Sequence, residues 1–184
     1  MTGSETIIIL NGASSAGKSC LCKELQEVLA APYIHLEEDR FVYGTYHGRY
    51  LQPGIGEQTF AKTMLGYYRS LSAFASAGHN VLADTGFYSK DLLDVCVREL
   101  APLKVWIVGV QCALAELERR ERGRSDRQAG LAREQHQSIH AHAIYDLEVD
   151  TSAQSLRACA LQIKTLVESA APPTAIETLR QRLG

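Results

Sequence analysis

An α/β fold, a parallel sheet with helices on both faces, is predicted by three observations. Short apolar runs suited to buried strands alternate along the chain with segments of helical apolar spacing. A Gly-x-x-x-x-Gly-Lys-Ser pattern, Gly12 to Ser19, lies between the first run and the first such segment, the setting a phosphate-cradling loop needs. The length, 184 residues with 46% apolar side chains, is about that of one domain and enough to bury a core. Residues 1–184 are therefore read as a single domain with a parallel five-stranded sheet, without internal repeat, low-complexity tract or linker.

The elements follow in order. TIIIL at 6–10 is a short, mostly β-branched run and reads as a fully buried strand. Residues 20–30 carry Leu21, Leu25, Val28 and Leu29 at helical spacing, and Pro32 ends that helix. A second strand at 32–36 runs into the acids Glu37, Glu38 and Asp39. Residues 40–56 are rich in Gly and Tyr, have no clean period and read as an irregular loop. A long helix at 57–77 is closed by Gly78. A third strand at 80–83 ends on Asp84, and Ser89 can cap a helix reaching Leu100. LKVWIVGV at 103–110 is the strongest strand. A helix with Leu114 and Leu117 then enters an arginine-rich stretch, followed by a helix at 131–143, a strand at 147–150, a helix at 155–169 and a last helix after Pro172 and Pro173.

Composition removes several classes of function. Lys plus Arg number 19 and Asp plus Glu 21, a net charge of −2, which argues against a surface coated in positive charge for nucleic acid. No apolar run approaches the ~18 residues of a membrane span, and the N-terminus has neither the basic region nor the apolar length of a signal peptide. The five cysteines, Cys20, Cys22, Cys96, Cys112 and Cys159, include no Cys-x-x-Cys pair, so they read as reduced thiols of a cytoplasmic protein. His136 and His140 stand one helical turn apart, but no accompanying motif supports a metal site there.

The loop Gly12, Ala13, Ser14, Ser15, Ala16, Gly17, Lys18, Ser19 carries the chemistry. Small residues let backbone N–H groups turn inward around phosphates, and the next helix aims its positive end at them. Lys18 can reach the β- and γ-phosphates of a nucleotide, and the Ser19 hydroxyl can bind Mg²⁺. Ligands of such sheets sit at the carboxyl ends of the strands. That rule brings Asp84 to the site as a partner of the Mg²⁺ shell, with one of Glu37, Glu38 and Asp39 as acceptor of a proton from a substrate hydroxyl. Arg119, Arg120, Arg122, Arg124 and Arg127, with Arg133 behind them, form a lid at about 119–130 that can neutralise a phosphoryl group in transfer. Residues 118–133 hold six arginines against three acids, a local +3, which leaves 13 basic and 18 acidic residues, −5, elsewhere. Tyr43, Tyr46, Tyr50, Tyr67 and Tyr68 either line an acceptor pocket or simply pack.

Three blocks, IIILNGASSAGKS at 7–19, SDRQAGLA at 125–132 and YDLEVDTS at 145–152, resemble chloramphenicol phosphotransferase and its relatives, small P-loop kinases akin to adenylate and shikimate kinases. The resemblance implies a P-loop NTPase fold with an Arg-rich lid, and ATP and Mg²⁺ as cofactors. It selects Asp39 as general base, singles out Arg120, Arg124 and Arg127 within the lid, and implies that Asp150, Thr151 and Ser152 border the adenine. Residues 40–75 depart from the family pattern, and Thr85 stands where a second acid is expected.

The reading is an ATP- and Mg²⁺-dependent transfer of phosphate to a hydroxyl of a small molecule, an antibiotic such as chloramphenicol being the first candidate. The acceptor would bind at about 39–75, with no nucleic acid and no membrane as partner. A nucleoside or nucleotide kinase is the enzymatic alternative, kept open by Arg40, Arg49 and Arg69. A nucleotide-binding regulatory module is the other, although pure binding has no use for a base.

Overall fold

The computed structural model describes residues 5–46, 55–123 and 130–183. Five parallel strands lie in the order β2-β3-β1-β4-β5: β1 (Thr6–Asn11), β2 (Tyr33–Glu37), β3 (Asn80–Thr85), β4 (Lys104–Gln111) and β5 (Leu147–Asp150). The described helices are α1 (Lys18–Val28), α2 (Glu38–Tyr46), α3 (Ile55–Ser76), α4 (Lys90–Leu100), α5 (Leu114–Arg122), α6 (Leu131–Ser138), α7 (Leu156–Val167) and α8 (Ala175–Gln181).

The β-branched run of β1 is buried along its whole length because it is the central strand, paired with β3 on one side and β4 on the other. Its side chains alternate between two cores. Ile8 and Leu10 join Leu21 and Leu25 of α1 and Cys159 and Ile163 of α7 on one face. Ile7 and Ile9 join Met64 and Tyr67 of α3 and Leu93 and Val97 of α4 on the other. The expected punctuation is present: Gly78 has φ +94° after α3, and the Ser89 hydroxyl accepts the Leu92 N–H at 3.3 Å to cap α4.

The stretch expected to be irregular from residue 40 begins instead as helix α2. Two acids in its first turn suit a helix N-terminus, and Phe41 and Val42 pack on the core beneath α3. Tertiary packing thus overrides a weak local signal; residues 47–54 lie outside the described residues. The helix expected over 131–143 stops at Ser138 and continues as turns. Among the described residues no helix is long and apolar enough to cross a membrane.

Candidate active site

The turn after β1 is shaped by backbone demands. A Cβ on Gly12 would stand 2.6 Å from the Val110 carbonyl oxygen, so a side chain there collides with β4. Gly17 has φ +92°, a region that favours glycine. Ser15 adopts φ +64° without that freedom, the kind of strain that accumulates at functional loops. The Lys18 ammonium folds back on the loop and donates to the carbonyls of Gly12 (2.7 Å) and Ala13 (3.1 Å). The buried hydroxyls of Ser14 and Ser15 find no hydrogen-bond partner among the described residues. A lysine, a helix N-terminus and two buried hydroxyls without a protein partner fit the phosphates of a nucleotide.

Register brings the next group in. Parallel pairing sets Leu10 opposite Asp84, and the Ser19 hydroxyl donates to Asp84 Oδ2 at 2.5 Å. Burial pushes the Asp84 carboxyl up, but His35 and Ser19 beside it and the Lys18 charge outweigh burial and hold it below the usual carboxylate range. An ionised carboxylate touching a hydroxyl is a donor set for a hard divalent cation such as Mg²⁺. His35 Nε2 lies 3.5 Å from the same oxygen, and Cys22 completes a group whose ligand-type atoms fall within 4.8 Å of one another.

Thr151 and Arg120 fix the other flank of the loop. Buried Thr151 donates its hydroxyl to the Ala16 carbonyl at 2.7 Å. Arg120 Nη1 reaches Thr151 Oγ1 at 3.1 Å and the Ala16 carbonyl at 3.4 Å, while Nη2 reaches the Thr151 carbonyl at 2.8 Å. The Ser152 N–H and hydroxyl both donate to Asp150 Oδ1, closing a tight turn that Ser152 ties to the Ala113 N–H. Asp150, Thr151, Ser152 and Arg120 are thus joined as one unit on the P-loop. The spacing of these residues in the sequence gives no sign of it.

The three acids after β2 have three different fates. Glu37 is half-buried and pairs with Arg40 at 3.2 Å, with His35 Nδ1 3.7 Å from the same oxygen. Asp39 is half-buried and lines the pocket beside Lys18 and Ser19. Glu38 is buried in the same wall, where its Oε2 accepts from the Thr85 hydroxyl and from the Gly86 N–H (2.9 Å). Tyr88 lines the same wall. Burial pushes the Glu38 carboxyl up to about 7, although these donors and the Lys18 charge pull it down. The Tyr88 ring folds over Gly86, where a Cβ would meet its Cζ at 2.5 Å. Tyr67 and Tyr68 prove to be core, and the Tyr67 hydroxyl donates to the carbonyls of Leu36 and Asp84. Tyr43 is exposed, Tyr46 has no described side chain, and Tyr50 lies outside the described residues.

The base of the lid is a clasp that the sequence did not reveal. Buried Glu121 at the end of α5 accepts the N–H groups of Gly130 (2.9 Å) and Ala132 (2.8 Å) at the start of α6. From α6, Gln135 Oε1 accepts the N–H of Ser14 at 2.7 Å, and Asn11 donates to the Ile139 carbonyl at 3.0 Å. Arg119 is held by Glu116 and Arg133 by Glu118, so part of the lid's charge is matched locally. Arg124 and Arg127 lie outside the described residues.

Comparison with known proteins agrees with this geometry. The model of a family described as chloramphenicol phosphotransferase-like protein matches residues 5–168. Two Mycobacterium tuberculosis proteins, from different strains and provisionally named O-phosphotransferases, are each 30% identical over 96% of this chain and 88% of their own length. Among solved structures, the Mycobacterium tuberculosis APS kinase in complex with AMPPNP and APS superposes with a TM-score of 0.69 at 17% identity, covering 90% of this chain and 98% of its own. Shikimate kinase from Acinetobacter baumannii in complex with shikimate gives 0.62 at 17% identity, over 90% and 94%. The Deinococcus radiodurans tunicamycin resistance protein gives 0.66 at 17% identity, over 92% and 99%. The fold is that of the P-loop kinases.

Proposed function

The chain belongs to the chloramphenicol phosphotransferase-like family, and on that premise we propose that it transfers the γ-phosphoryl group of ATP to a hydroxyl of a small molecule. The observation that carries the reading is one pocket shared by Lys18, the Ser19–Asp84 pair and two carboxylates, Glu38 and Asp39. Binding alone would be served by the first three; a base beside them suits transfer to a hydroxyl.

Gly12, Ala13, Ser14, Ser15, Ala16 and Gly17 enclose the phosphates, which meet the loop's N–H groups other than those of Ser14 and Ala16, given to Gln135 and Ala13. Lys18, leaving the Gly12 and Ala13 carbonyls, meets the β- and γ-phosphates. Arg120 with Asp150, Thr151 and Ser152 borders the adenine, an assignment supported by their attachment to Ala16. Ser19 and Asp84 would hold Mg²⁺, which would neutralise phosphate charge. Asp39 takes the proton of the acceptor hydroxyl as its oxygen bonds to the γ-phosphorus. The bond from that phosphorus to the bridging oxygen breaks, and ADP leaves. Lys18 with the lid arginines Arg120, Arg124 and Arg127 neutralises the charge in transit. The acceptor sits against α2 and α3. An antibiotic is the first acceptor to try, given the family's description and the tunicamycin resistance protein among the neighbours. The reduced thiols fit a cytoplasmic enzyme.

The test is a panel of hydroxyl compounds, including chloramphenicol, other antibiotics, nucleosides and nucleotides, incubated with ATP and Mg²⁺ and read by mass spectrometry. A phosphate adduct of at least one member, absent with Lys18→Ala, is expected. ATP binding without any adduct across the panel would favour the nucleotide-binding module instead.

A further inference from the structure

Transfer as described uses the carboxylate of Asp39 and gives Glu38 no task. Glu38 nevertheless stands in the wall of the same pocket, across from the P-loop, where an acceptor must approach the phosphates. We infer that Glu38, set by Thr85 and Gly86, is the acceptor-recognition carboxylate and takes a second hydrogen-bond donor of the acceptor, a hydroxyl or an ammonium close to the hydroxyl that is phosphorylated. The inference rests on the phosphotransferase reading and deepens it: the acceptor is a polyol or an amino alcohol rather than an isolated alcohol.

The geometry is that of a prepared site. One oxygen of the carboxylate is fixed by the Thr85 hydroxyl and the Gly86 N–H, both from the end of β3 and the turn that follows it. The Tyr88 ring lies against Gly86 in the same wall. A carboxylate has about four acceptor sites. Thr85 and Gly86 account for two, both on Oε2, which leaves acceptor sites for a ligand. Lys18, Asp39, Asp84, Tyr67 and Tyr68 are the other charged or titratable groups that act on this wall. An ionisable side chain buried here is costly where a glutamine could take the same hydrogen bonds. The cost is intelligible if an arriving donor completes the carboxylate's bonding. Asp39, the next residue on α2, then faces the reacting hydroxyl while Glu38 holds its neighbour, so the pair orients as well as activates.

A purely structural role, Glu38 stapling α2 to the turn after β3, makes a different forecast, and Glu38→Gln separates the two. The glutamine oxygen still accepts from Thr85 and Gly86, so the staple survives while the anionic acceptor is lost. Three acceptors built on one scaffold, a 1,2-diol, a 1,2-amino alcohol and the matching mono-alcohol, are titrated calorimetrically into protein loaded with AMPPNP and Mg²⁺. They are also incubated with ATP and read by mass spectrometry. Wild type is expected to bind the diol or the amino alcohol about 10- to 100-fold more tightly than the mono-alcohol, the scale of one hydrogen bond to a charged group. Glu38→Gln should erase that preference, with AMPPNP affinity reporting that the variant is folded, and Thr85→Val should weaken it. Loss confined to the amino alcohol identifies an ammonium as the donor; loss confined to the diol identifies a hydroxyl. No preference in wild type, or the same preference in Glu38→Gln, overturns the inference. Absence of any phosphate adduct would instead overturn the phosphotransferase reading, and the calorimetric comparison would still decide the role of Glu38.

Discussion

The two halves of the pocket are built differently. The nucleotide half is closed on itself: Lys18 rests on Gly12 and Ala13, Thr151 and Arg120 hold Ala16, and Gln135 holds Ser14. Most of these bonds involve backbone atoms, so the loop's shape is set by the chain path and tolerates one chemistry, the phosphate group. The other half, where the proposed acceptor would bind, is built from side chains, Glu38, Asp39, Thr85 and Tyr88, carried by α2, the end of β3 and the turn after it. Such a wall can change its ligand by changing a few residues. Phosphate recognition therefore follows from a short motif, whereas acceptor identity has to be read from three-dimensional placement.

The contrast can be broken from either side. Lys18→Ala should have the largest effect, with turnover down about 10³-fold or more and nucleotide affinity reduced in an ATP titration. Unchanged ATP binding would take the P-loop out of phosphate recognition. Asp39→Asn should lower turnover by about 10²-fold or more and leave ATP affinity nearly intact. That split between binding and turnover is the signature of the acceptor half, and equal losses in both would erase the distinction.

Glu38 gives the next effect, on stability. A glutamate in the unfolded chain ionises near 4.5, and Glu38 in the folded protein near 7. Between those values the folded chain keeps a proton that the unfolded chain has lost, so stability falls as pH rises through that window. The loss reaches roughly 3 kcal/mol above it. Glu38→Gln escapes this loss. Urea denaturation should find the variant more stable than wild type at pH 8, with the advantage shrinking toward pH 5. A difference independent of pH would mean that Glu38 is ionised in the fold at an ordinary value. The smallest effect belongs to Gln135→Ala. Removing one neutral hydrogen bond between α6 and Ser14 should weaken nucleotide binding only a few-fold.

What could be read in the sequence divides along the same line. The alternation of strands and helices, the P-loop and the position of Asp84 were all legible, because periodicity and a motif between strand and helix are local signals. Helix α2 was not, since Phe41 and Val42 make it a helix by packing on the core beneath α3. Glu37, Glu38 and Asp39 look alike as a run of acids; which pairs with Arg40 and which two enter the pocket depends on where the sheet ends and α2 begins. Gln135 was missed because it reaches the site from far along the chain, touching Ser14 across 121 positions, and Tyr88, only four residues after Asp84, because no motif marks the turn that folds it back onto the pocket. The clasp of Glu121 on Gly130 and Ala132 had a faint trace, a glutamate closing a helix before a glycine, too common a pattern to single out.

The most direct measurement follows the phosphoryl group itself. ATP carrying ¹⁸O in its γ-phosphoryl group is incubated with the protein, Mg²⁺ and an acceptor that gives an adduct, and the products are weighed. The labelled phosphoryl group should appear on the acceptor in step with ADP, and Asp39→Asn should slow both together. Labelled inorganic phosphate appearing at the same rate with or without acceptor, or no ADP at all, would contradict direct transfer to a hydroxyl.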